Sequence, residues 1–390
     1  MQTARPFTGA APSESSVAGL TIVAVEALVA EVRLEVPWEI ATGPLETMYA
    51  TVVRVELANG VVGWGECLVR QAPGATRAIV TELLAPTVLS MDAWDVEGIW
   101  QRMYRTMRYR GHSRGFFLEA VAGVDTAIWD ALGRSLGQPV WRLLHGEGRR
   151  SVPCYASSVL LSEDLRITAG EAERLAADGW PAIKVKVGHG VDRDVRAVSM
   201  VRAAVGPDVD IMLDANGVYR ADEAIALSRK LVPLDIRWLE EPVPADDLHG
   251  YRKLAAAQPG VPLAGGEAEY VPSGFLPFLE GGIYSVVQPD VARAGGITAT
   301  RRIALLADAY NVPYAPHTGA SAALCISASL QLAAAMPNFT VHEHMYVHQP
   351  LQDLVGALPA PRNGVIDVPA GPGLGVEVDE DDLRAKCLSQ

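Results

Sequence analysis

From about residue 150 the chain repeats one rhythm: a short apolar run ending on a charged residue, then a stretch with apolar positions at helical spacing. Ala182–Val187 alternates apolar residues with Lys184 and Lys186, so a strand there places both lysines on one face. The runs that follow end on Asp214, Glu240, Glu267, Asp290 and His317, and Phe339–Glu343 closes the series. Asp222–Leu231 and Ile297–Tyr310 read as helices between them. Strands alternating with helices predict a parallel sheet. With Val152–Leu160 added the strands number eight, which closes a (β/α)8 barrel. The fold expected is therefore α/β, with a (β/α)8-type barrel over residues 149–362. Side chains at the carboxyl ends of barrel strands converge on one mouth, so these charged residues should share a site.

Upstream the period changes. Leu20–Leu34, Tyr49–Leu57 and Val61–Glu66 read as strands, the last two joined by Asn59-Gly60, a strong hairpin signal. Phe117, Val121, Val124, Ile128, Ala131 and Leu132 recur at helical steps and predict a helix that ends near Gly137 and Pro139. Residues 21–148 are thus expected to form an α+β capping domain. Residues 1–20, rich in Ala, Ser, Thr and Pro, read as a loose tail. The Gly-rich stretch after Pro369 is unsuited to a barrel helix, so residues 363–390 are expected to return to the capping domain. Val36–Pro44, bounded by Pro and Gly, reads either as a lid with Trp38 closing over a ligand or as an ordinary surface loop.

Composition narrows the function. A length of 390 residues suits a barrel plus a second domain, and 49% hydrophobic with 20% charged residues is ordinary for a soluble globular chain. The net charge of −13 and the lack of a basic stripe argue against a nucleic-acid partner. No run reaches the roughly 18 apolar residues of a membrane span, and no apolar core of a signal peptide follows Arg5. Cys67, Cys154, Cys325 and Cys387 lack ligand-like spacing and read as thiols of a reducing compartment. A cytoplasmic protein is expected.

The strand-end residues suggest chemistry. Asp214, Glu240 and Glu267 make an all-oxygen set that suits a hard cation, Mg2+ in particular. Such an ion would hold a substrate carboxylate and stabilise the enolate left when the α-proton departs. Two lysines side by side disfavour each other's charge, which would bring one of them towards a neutral amine able to take a proton. Lys186 and His317 could then stand on opposite faces of the reacting carbon, with Asp290 fixing the imidazole tautomer. Glu343, if burial keeps it protonated, could donate to the substrate carboxylate. A Schiff-base lyase would use the lysines but leave the carboxylates idle. A non-catalytic barrel would not need the acid/base positions filled.

Lys184-Val185-Lys186, Asp214-Ala215-Asn216, Glu240-Glu241-Pro242, Gly266-Glu267, Asp290 with Arg293-Ala294-Gly295-Gly296-Ile297-Thr298, and His317 together resemble the enolase superfamily, in particular its mandelate racemase subgroup. The resemblance implies Mg2+ on Asp214, Glu240 and Glu267. It also implies Lys186 as one base with Lys184 steering the carboxylate, and His317 with Asp290 as the second acid/base. Glu343 carries over as a carboxylate-binding and catalytic residue, and Asn216 and Trp38 as substrate contacts. Glu241 should point away from the ligands, and Glu269 should be a solvated loop carboxylate. The activity implied is Mg2+-dependent removal of the proton α to a carboxylate. Dehydration of a sugar acid to a 2-keto-3-deoxy acid stands ahead of racemisation or epimerisation of a 2-hydroxy acid. Arg110, His112, Arg114, Glu39 and Thr42 supply the polar groups behind that preference. The partner is a small carboxylate, and family members are commonly symmetric homo-oligomers.

Overall fold

The computed structural model describes residues 19–388 apart from 42, 146, 147 and 259; all but the last two residues of the expected tail, and Thr42, lie outside them. Three antiparallel strands open the chain: Ile22–Ile40 (β1), Gly43–Leu57 (β2) and Val62–Cys67 (β3). Gly60 takes φ +81° at the β2–β3 turn, where Asn59 Oδ1 accepts from Val61 N at 3.1 Å. The segment expected to be a loop is instead the tip of a long ribbon. Trp38 pairs with Leu45 and Ile40 with Gly43, after a register shift beyond Arg33. Pro and Gly punctuate the ribbon without ending it, because the strands still pair across them.

Helix Phe116–Ser135 lies on this sheet, close to the span its periodicity predicts. The approach needs glycine. A Cβ on Gly65 would sit 2.1 Å from Gly123 O, and one on Gly63 would sit 2.3 Å from Ala127 O. Gly65→Ala is expected to force strand and helix apart at a cost of about 1–3 kcal/mol or more. The reading is a fall in the urea midpoint, and an unchanged midpoint would refute the packing argument.

The barrel strands are Ser151–Val159 (β4), Ala182–Lys186 (β5), Asp210–Asp214 (β6), Ile236–Glu240 (β7), Leu263–Gly265 (β8), Val286–Val287 (β9) and His342–Met345 (β10). They pair in parallel in the order β10-β4-β5-β6-β7-β8-β9. Single parallel bridges from Val287 to Tyr314 and from Tyr314 to Phe339 fill the remaining position and close the ring. A short strand, Val365–Asp367 (β11), adds antiparallel to β4.

Alternation sorts the side chains. Ala182, Met212 and Trp238 point into the barrel and pack with Tyr155, Ala264, Ala315 and Val341, while Ile183, Val185, Ile211, Leu213 and Leu239 join the larger core shared with the helices. One pleat further along the inward rows come Lys184, then Lys186, Asp214 and Glu240. Register brings these last three into line, Lys186 opposite Asp214 and Asp214 opposite Glu240. The apolar inner layer is thus the floor on which the charged layer stands.

Within the C-terminal stretch β11 lies on the barrel, and residues beyond it contact the first domain. Leu374 N donates to Asp130 Oδ1 at 2.7 Å, Arg54 reaches Glu380, and Arg384 pairs with Glu26. Among the described residues no helix is long and apolar enough to cross a membrane.

Candidate active site

A cavity of about 310 Å³ opens where the barrel mouth meets the β1–β2 tip. Lys186, Asn216, Glu267, His317 and Glu343 line it, with Trp38 on its wall. Trp38 is held edge-on to His348, ring centroids 4.4 Å apart, and Lys186 Nζ stands 5.6 Å from its ring.

Asp214, Glu240 and Glu267 each present an oxygen within 4.8 Å of the others. Asp214 and Glu240 are fully buried. Their remaining lone pairs are taken up: Asn216 N donates to Asp214 Oδ1 at 2.9 Å, and Gln288 Nε2 donates to Glu240 Oε2 at 2.7 Å. Glu267 Oε2 is different. It is buried with no hydrogen-bonded partner; His317 Nε2 lies 3.3 Å away but is not aligned with it. An orphaned carboxylate oxygen turned towards two other carboxylates fits a divalent cation bound by oxygen. Burial, with Asp214, Glu343 and Glu267 nearby, raises the Glu240 carboxyl to about 7, against the pull of Lys184.

Glu241 departs from the expected orientation. The strand stops at Glu240, Glu241 takes φ +35°, and its buried side chain joins the cavity lining instead of pointing away. Burial and then Glu267, Asp214 and Glu240 push its carboxyl well up.

The lysine pair also departs from expectation. Lys184 does not reach the cavity lining. It is buried beneath it, 2.8 Å from Glu240 Oε1 and 2.6 Å from Glu343 Oε1. Burial alone would lower its pKa, but those carboxylates together hold it well above the ordinary lysine value. Lys186 meets Asp214 Oδ2. Expected to steer the substrate carboxylate, Lys184 instead buttresses carboxylates of the site from below.

Glu343 is likewise not the protonated donor expected. Burial favours the neutral acid, yet Lys184, His317 and the amide of Thr318, 2.9 Å from Oε2, together hold it far below the usual carboxylate range. Ser157 Oγ donates to Oε1 at 2.8 Å. These partners favour the ionised carboxylate as an acceptor.

His317 and Asp290 meet as the sequence suggests. Asp290 Oδ2 lies 2.7 Å from Nδ1, leaving Nε2 to face the cavity. Burial would lower the imidazole pKa, but Glu267, Asp290 and Glu343 raise it above the ordinary value. Ala292 N fixes the other Asp290 oxygen at 2.8 Å.

The first domain braces this side. Glu66, at the end of β3, accepts from Ala322 N and Cys325 N at 2.8 and 2.9 Å, capping helix Ala323–Ala335 just beyond His317. Just past it, Arg70 and Gln71 line the cavity. Sequence reasoning missed both, since isolated polar residues beyond a strand end carry no periodic signal. The cations it favoured lie elsewhere. Arg110 and His112 are exposed outside the cavity lining, and Arg114 pairs at 2.7 Å with Glu269, which is buried and not solvated. The side chain of Glu39 lies outside the described residues.

Residues 24–145 match the mandelate racemase / muconate lactonizing enzyme N-terminal domain, and residues 168–382 match the enolase C-terminal domain-like family. A D-galactarolactone cycloisomerase from Agrobacterium fabrum is 35% identical, covering 93% of this chain and 98% of its own. A D-galactonate dehydratase from Variovorax paradoxus is 34% identical, covering 85% of this chain and 89% of its own. The crystal structure of a racemase from Streptomyces coelicolor with bound magnesium aligns at a TM-score of 0.86 and 30% identity, covering 94% of this chain and 100% of that one. With both domains matched, and with carboxylates, lysines and histidine gathered at one barrel mouth, the chain belongs to the enolase superfamily, in its mandelate racemase subgroup.

Proposed function

We propose that the protein removes the proton α to the carboxylate of a sugar acid and expels the β-oxygen, yielding a 2-keto-3-deoxy acid. The observation that carries this is the pair Lys186 and His317 on one cavity with Glu267, whose carboxylate gathers with those of Asp214 and Glu240. Those three would hold Mg2+, which when bound supplies positive charge against the charge developing on the substrate carboxylate. Lys186, as the free amine, takes the α-proton. The released electron pair forms the enolate, then the α,β double bond as the β-carbon–oxygen bond breaks. His317, protonated at Nε2 and oriented through Nδ1 by Asp290, gives its proton to the departing oxygen. The resulting enol ketonises. Asn216, whose Oδ1 is buried without a hydrogen-bonded partner, accepts from a substrate hydroxyl, and Trp38 covers the bound acid.

If the departing oxygen belongs to a ring of the substrate, the same elimination opens that ring and the net reaction is an isomerisation. The cycloisomerase name of one relative favours this as a second reading. Racemisation, which needs the same two bases but no leaving group, is a third outcome. The test is a panel of sugar acids, their lactones and simple 2-hydroxy acids with Mg2+, followed by semicarbazide detection of keto acid and by polarimetry. Keto acid from a sugar acid or lactone is expected. Loss of optical rotation without keto acid, on the substrate with the highest kcat/KM, would replace elimination by racemisation.

A further inference from the structure

Arg70 has no role in the chemistry above, yet it stands beside it. β3 ends at Cys67, and Leu68 N donates to Ala292 O at 3.0 Å, tying the chain to the loop after Asp290. Two residues on, Arg70 enters the cavity lining. A Cβ on Gly319 would sit 2.6 Å from His317 Nε2 and 3.7 Å from Arg70 Nη2, so the guanidinium flanks the imidazole nitrogen that faces the cavity. Arg70 is half-buried, and among the described residues its side chain forms no hydrogen bond or ion pair. Its donors are thus left free to meet a ligand in the cavity. Its five donors in a planar fork match a carboxylate in two-point contact.

The carboxylate next to the α-proton is already provided for at the acidic cluster. Arg70 stands instead next to His317, where the β-oxygen leaves. An aldonate ends in a neutral hydroxymethyl group, whereas an aldarate, or its lactone, carries a second carboxyl function. We infer that Arg70 binds a second carboxyl group of the substrate, at or beyond the β-oxygen, so that the enzyme acts on dicarboxylic sugar acids or their lactones in preference to aldonates. This rests on the elimination proposed above. For an open diacid, Arg70 holds the distal carboxylate and water departs. For a lactone whose ester oxygen is on the β-carbon, Lys186 takes the α-proton and the C–O electron pair leaves with the ester as a carboxylate. That carboxylate forms against Arg70, no water is released, and the enol ketonises to an isomer of the lactone. The relatives include both kinds of name, a cycloisomerase of a diacid lactone and a dehydratase of an aldonate, so the inference divides them.

The experiment compares aldonates, aldarates and aldaro-lactones of matched configuration with the Mg2+-loaded enzyme, its Arg70→Met and Arg70→Lys variants, and the native enzyme with short dicarboxylates as inhibitors. Native kcat/KM for the best diacid or lactone is expected to exceed that for its matched aldonate by about 100-fold or more. That ratio should fall about 100-fold in Arg70→Met and recover in part in Arg70→Lys, which restores charge without the fork. Water release distinguishes the open diacid from the lactone as the source of the carboxylate. Glutarate should inhibit the native enzyme far better than butyrate, a reading that needs no variant to fold. Best turnover of an aldonate, an unchanged ratio in Arg70→Met, or equal inhibition by the two acids would overturn the inference while leaving the elimination standing. No keto acid and no exchange of the α-proton with solvent deuterium, on any member of the panel, would remove the elimination and the inference with it.

Discussion

Lys186→Ala and His317→Asn are expected to stop the reaction at different steps. On a substrate whose α-proton faces Lys186, Lys186→Ala should abolish both exchange of that proton with deuterium and keto-acid formation. His317→Asn should keep the exchange and lose turnover on the order of 10³-fold, because the base is intact while the acid for the departing oxygen is gone. Proton NMR in D2O reads exchange and product in one experiment. The split follows from geometry, since the two side chains line one cavity and have different partners, Asp214 for the lysine and Asp290 for the histidine. Lys186→Ala leaves Asp214 without its nearest cation, so its melting temperature should be measured alongside. Full turnover in either variant would end the two-base assignment.

Chelation should be as severe. EDTA is expected to abolish turnover and Mg2+ to restore it, whereas metal-free enzyme treated with substrate and borohydride should recover full activity once Mg2+ is returned, because no Schiff base forms. Calorimetry gives a reading independent of turnover. Mg2+ at 100 times its dissociation constant should stabilise the fold by about 2.7 kcal/mol, and Glu267→Gln should weaken Mg2+ binding on the order of 10²-fold. Asp214, Glu240, Glu241, Glu267 and Glu343 crowd one region with Lys184 and Lys186, and a divalent cation would offset the burial and the repulsion that lift Glu240 and Glu241. Unchanged melting in the presence of Mg2+ would refute the metal site.

The barrel was legible because each inward row changes from apolar to charged at the strand end, and a two-residue period survives in the sequence whatever packs around it. The convergence of Asp214, Glu240 and Glu267 followed from the same alternation. Glu241 was not legible, since alternation was carried one residue past the point where the strand ends and φ turns positive. The place of Lys184 beneath the site was not legible for a longer-range reason: its partners come from β7 and β10, and neighbours in the sequence say nothing of them. The ribbon tip was read as a loop because Pro37, Gly43 and Pro44 are turn residues in isolation, whereas cross-strand pairing decides their conformation. Arg70 was invisible for want of any pattern.

The division of labour at the mouth has a consequence for divergence. Proton transfer rests on side chains fixed by barrel strands, but much of the wall the substrate leans on, Trp38 and Leu45 from the ribbon tip and Arg70 from the stretch after β3, comes from the other domain. Glu66 near the end of β3 and Leu68 just after it are tied to the barrel, by its amides and one carbonyl. Selection can therefore rewrite the residues beyond those anchors, and with them the choice of acid, while the atoms that break the carbon–hydrogen bond stay where they are.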